Sequence, residues 1–60
     1  MSDKRTPDQL EFDGILHGIA FAHFEAQLVK LSRATIVARR LPNDKKRQER
    51  LAFWRKELGE

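Results

Sequence analysis

Few residues in this 60-residue chain could do covalent or metal chemistry, and their spacing argues against both. His17 and His23 are six apart, so on a helix they diverge by ~120° and cannot chelate as an i,i+4 pair would. Asp13 and His17 are four apart and share a face. That pairing suits an ion pair, and two copies across a dimer would be needed to build a metal site from it. The chain has no cysteine and no tyrosine, and Ser2 and Ser32 have no histidine at a useful spacing. A chain this short rarely holds a concave pocket. We therefore expect no enzyme, no cofactor and no metal.

The cations are a different matter. Residues 1–29 carry net −3 and residues 30–56 net +8, within a total of +3. Such asymmetry points to a polyanionic partner more strongly than overall charge does. Arg39 and Arg40 fall at the expected end of one helix, and Arg55 and Lys56 at the end of the next, where the helix dipole favours cations. Lys45, Lys46 and Arg47 fall in a first helical turn, where the dipole disfavours them. A local rule broken three times in a row suggests a function. Arg39, Arg40, Lys45, Lys46, Arg47 and Arg50 are accordingly the candidate contacts to DNA or RNA phosphates. A solvated cluster that keeps the molecule soluble is the plainer alternative. A helix-turn-helix variant would put Lys45, Lys46 and Arg47 at the front of a recognition helix.

Trp54, the only tryptophan, stands at 3,4 spacing with Leu51 and Leu58, so it is assigned to the core, where Arg50 could stack on it. The other assignment is an exposed anchor or base-stacking platform.

The elements that must position these residues follow from caps and periodicity. Thr6-Pro7-Asp8-Gln9 is a capping box with proline at the first helical position. Apolar residues then recur with a helical period on two stripes, one through Phe12, Ile15, Ile19, Ala22, Ala26 and Val29, the other through Phe21, Phe24, Leu28 and Leu31. Gly14 and Gly18 interrupt it, each costing ~1 kcal/mol against alanine. They form a small-residue ridge with Ala22, suited to close approach of another backbone; a kink or break near Gly18 is the alternative. No cap or proline follows Gly18, so the pattern predicts one unbroken helix over 7–40. Leu41-Pro42-Asn43 makes a turn, with Asn43 able to cap a second helix over 44–58 and Gly59 to stop it.

The fold expected is an all-α two-helix hairpin occupying the whole chain, residues 1–60, with residues 1–5 flexible. A first helix of 34 residues would be ~51 Å long and a second of 15 residues ~22 Å. The second helix would then leave the N-terminal half of the first uncovered, a larger apolar patch than monomers tolerate. A homodimeric four-helix bundle closing over Phe12, Ile15, Leu16, Gly18, Ile19 and Ala22 is the expected remedy. The charged start, Met-Ser-Asp-Lys-Arg, has no apolar run behind it and no stretch is long enough to span a membrane, so a cytoplasmic, membrane-free protein is expected.

Function is then expected to be non-enzymatic regulation through nucleic-acid binding at the basic hairpin tip. The alternative is a protein-binding modulator (inhibitor, adaptor or antitoxin-like) that docks a target through the broad apolar first helix.

Overall fold

A computed structural model describes residues 3–59 and contains three helices, α1 (Pro7–Ile19), α2 (Phe24–Ala38) and α3 (Lys45–Glu57). The single helix expected over 7–40 is corrected to two, and the two-helix hairpin to a compact three-helix fold. The long axis of the molecule, 34 Å, is too short for the ~51 Å that an unbroken helix would need. Of the start expected to be flexible, residues 1 and 2 lie outside the described residues. Arg5 is held by Asp3 and by Asp13 in α1.

The physical reason for the break is burial. Folding α2 back on α1 closes Phe12, Leu16 and Ile19 against Leu31, Ala34, Val37 and Ala38, with Leu51 of α3 in the same core. Fully burying a Phe, Leu or Ile side chain is worth roughly 1.5–3 kcal/mol, so the three from α1 gain several kcal/mol. The backbone bonds lost at the break are mostly replaced. Phe21 donates to the Gly18 carbonyl at 3.1 Å and Ala22 to that of Ile19 at 3.3 Å, which tightens the last turn of α1. The Gln27 side-chain amide then reaches back to the Ile19 carbonyl at 3.0 Å. His23 opens α2 in an extended conformation without a side-chain cap, which is why no capping signal marked the site.

The α2–α3 connection uses the same device twice over. The Gln48 amide donates to the carbonyls of both Ala38 and Leu41 at 2.9 Å. Gln27 and Gln48 each stand four residues after their helix's N-cap, and each ties off the helix before. Asp44, rather than Asn43, caps α3, accepting from the Arg47 N–H at 3.3 Å. The Thr6–Gln9 capping box is formed as its residues predict. Gly59 follows α3 at φ 84°, a conformation that glycine adopts without strain.

Phe12, Leu16 and Ile19, expected at a dimer interface, are thus buried within the chain itself. The length comparison that called for a second copy there no longer applies. Gly14 has nothing within 4 Å of where a side chain would project, and Gly18 meets only the Lys30 side chain. Neither glycine is used for close helix packing inside the chain. Trp54 and Leu58 are half-buried against the core, and Arg50 reaches Asp13 instead of the indole ring. No helix among the described residues is long and apolar enough to cross a membrane.

Candidate nucleic-acid interface

The acidic first third and basic last third of the sequence meet where α3 lies against α1. Asp13, on α1, is the hub. Arg47 binds it through two nitrogens, Nη2 to Oδ2 at 2.6 Å and Nε to Oδ1 at 2.9 Å. Arg5 adds a contact at 2.8 Å and Arg50 one at 3.3 Å. The remaining Arg47 nitrogen pairs with Asp44 at 2.9 Å, and Asp44 also accepts from Gln9 at 3.0 Å.

Hydrogen bonds from Arg47 hold the Asp13 carboxyl below its ordinary range, outweighing a smaller rise from burial. For Asp44, burial pushes upward, and the bonds from Arg47 and Gln9 more than offset it. Arg47 is shifted up in turn by its bonds to Asp13. Asp3 sits at about 2 because Arg5 hydrogen-bonds to it.

This network sorts the six expected phosphate contacts. Arg47 is 16% exposed and fully engaged by two carboxylates. Its place in an unfavourable first turn therefore has a structural explanation that the sequence did not offer, and it is withdrawn as a phosphate contact. Arg50 is exposed but leans on Asp13, and Arg40 lies 3.7 Å from Asp8. Arg39, Lys45 and Lys46 are exposed, and among the described residues none of them is paired with a carboxylate. They stand together around the α2–α3 connection.

A fourth cation joins them from the other end of α3. A groove of about 200 Å³ between α2 and α3 is lined by Thr35, Ala38, Arg39, Gln48, Leu51 and Arg55. It contains two arginines and no acidic residue. Arg55 Nη2 donates to the Thr35 hydroxyl at 3.3 Å, which steadies the guanidinium without neutralising it. Sequence reasoning passed over Arg55 because the helix dipole already explained it. The available signal was its i,i+7 spacing from Gln48, which places both on one side of α3. Arg5, Arg40, Arg47 and Arg50 are paired with aspartates, whereas among the described residues Arg39 and Arg55 of the α2–α3 groove are not paired with a carboxylate. Glu49 and Glu57 are on α3 as well, about 120° and 160° around the helix from Arg55.

Among the described residues, no cluster of histidine or carboxylate side chains is placed to hold a metal. His17 packs on Phe21, with ring centroids 5.5 Å apart, while its expected neighbour Asp13 is occupied by arginines. Comparison with protein-family models, with curated proteins and with solved structures found no match, so any functional reading rests on the physics of these surfaces.

Proposed function

We propose that the chain is a small non-enzymatic regulatory protein that binds nucleic-acid phosphates beside the α2–α3 connection. Arg39 and Arg55 each take a phosphate at the groove, Lys45 and Lys46 each take a neighbouring one, and Arg40 and Arg50, held by Asp8 and Asp13, stand at the edge. One observation carries this: a carboxylate-free groove bearing two arginines, next to two lysines that open a helix against its dipole. Guanidinium pairs suit phosphate because their planar fork matches its oxygens.

Phosphate contact is favoured over base reading by α3. Its outward stripe runs Lys45, Glu49, Ala52, Lys56, and a glutamate in its middle would face a groove's negative walls. Six residues separate α2 from α3, more than the short turn of a helix-turn-helix motif. The alternative, docking of a protein through the broad apolar stretch expected as the first helix, loses Phe12, Leu16 and Ile19, which are enclosed, and keeps Phe21, Phe24, Val29 and Ile36, which are exposed.

The test is fluorescence anisotropy on labelled duplex DNA and RNA, comparing the natural protein with Arg39→Gln/Arg55→Gln. Two lost phosphate contacts should weaken binding about tenfold or more and make the salt slope shallower by about two. Circular dichroism should be unchanged. Equal binding by the double variant would remove the groove from the interface.

A further inference from the structure

Val29 and Ile36, on the outer face of α2, are among six large apolar residues left exposed, together with Leu10, Phe21, Phe24 and Phe53. Val29 is 57% exposed and Ile36 52% exposed, with no covering element. Both are β-branched, with modest helix propensity and nothing gained from packing. Seven residues apart, they lie on one line along the helix, ~10 Å from each other. Glu25 stands one turn before Val29, and Arg40 one turn after Ile36. Ser32 and Arg33 lie between.

Read in reverse, this strip is its own complement. Place a second α2 antiparallel to the first, with a two-fold axis between Ser32 and Arg33. Glu25 then faces Arg40, Val29 faces Ile36, and Ser32 faces Arg33, each pair occurring twice. The apolar pairs are central, and the opposite charges stand at both ends. A parallel pairing would instead set Glu25 against Glu25 and Arg40 against Arg40. The same side of the molecule continues into a groove of about 410 Å³ lined by half-buried Ile15, by Glu11, Arg33 and Arg40, and by the buried core residue Val37.

We infer that a second copy of this chain docks on the exposed face of α2, antiparallel and two-fold symmetric, through Val29–Ile36 contacts flanked by Glu25–Arg40 ion pairs. The occupant is identified by charge order: a partner must present acid, apolar, apolar, base in one line, and α2 with the turn that follows it presents that order reversed, Arg40 standing two residues past the end of α2 and 3.7 Å from Asp8. Isologous association needs this self-complementarity. The contact is small and the dimer correspondingly weak. Its apolar contacts, Val29 and Ile36, are separate from the α2–α3 groove, so the Val29→Asp/Ile36→Asp test is independent of nucleic-acid binding. Arg40 is shared, and in the dimer it is turned to Glu25 of the partner.

Sedimentation equilibrium from about 10 μM to about 1 mM covers the range that a contact of this size requires. The natural chain should move from monomer to dimer across it. Val29→Asp/Ile36→Asp should stay monomeric throughout with unchanged circular dichroism, since both positions are exposed. Glu25→Arg and Arg40→Glu should each weaken association about tenfold, and Glu25→Arg/Arg40→Glu should restore it, because the exchanged charges again face each other. A natural chain that is monomeric at 1 mM, or a Val29→Asp/Ile36→Asp variant that dimerises, would overturn the inference. So would failure of the exchanged pair to recover.

Discussion

Replacing Asp13 by asparagine tests the network that fixes α3 against α1. Asparagine keeps the shape and one acceptor but removes the charge that three arginines share. Asp13 and Arg47 are each 16% exposed, so their two bonds are only partly screened. Charge-assisted bonds of this kind contribute about 1.5–3 kcal/mol. Arg5 and Arg50 are much more exposed, and solvent screening leaves their contacts with Asp13 a minor part of the total. Arg47 retains Asp44 in the variant, which returns part of the loss. The net cost should be about 1.5–2 kcal/mol, a large fraction of the roughly 3–9 kcal/mol expected for a chain of this length. For a domain this small that lowers Tm by roughly 6–16 °C. The pH dependence has a definite sign. The folded-state pKa of Asp13 is depressed, so its stabilisation is complete above the unfolded carboxylate value of about 4 and fades as pH falls through the lower folded value. Thermal melts followed by circular dichroism should show the gap between natural and variant chains at pH 7, narrowing towards pH 3. A Tm within about 2 °C of the natural chain at pH 7, or a gap that does not narrow in acid, would refute the role assigned to this carboxylate.

Three further substitutions probe the helix ends and Gly14. Gln48→Ala removes two side-chain hydrogen bonds to backbone carbonyls and should cost about 1–3 kcal/mol, with Gln27→Ala, which removes one, costing about half; urea midpoints in the opposite order would contradict the capping roles. Gly14→Ala adds a methyl group to open space on an exposed helical position, and should raise Tm by roughly 4–8 °C for a gain of about 1 kcal/mol. A fall in Tm would mean that another backbone does approach that ridge.

Local signals in the chain were legible and long-range ones were not. The Thr6–Gln9 box marks the start of α1, and Pro42 marks the last connection, although the cap expected at Asn43 falls one residue later at Asp44. The break after Ile19 left no such mark. His23 caps nothing with its side chain, and the residue that closes the end of α1 is Gln27, eight positions further on. The two apolar stripes contained the information in another form. A helix apolar on opposite sides can either recruit a second copy or fold on itself, and the return is the nearer solution. Arg39, Lys45 and Lys46, singled out as cations in the sequence, are exposed, and among the described residues no carboxylate is paired with them. Arg47 was misread because its partner, Asp13, is 34 residues away in sequence. Arg55 was missed because a sufficient local explanation hid a tertiary one.

The salt dependence of nucleic-acid binding tests the central claim most directly. With Arg39, Arg55, Lys45 and Lys46 each neutralising one phosphate, a plot of log K against log salt on duplex DNA should have a slope of roughly −3.6. Lys45→Gln/Lys46→Gln should reduce it to about −1.8 without loss of helicity. No binding at tens of micromolar protein in low salt, or binding whose slope is near zero, would contradict the assignment of this surface to phosphates.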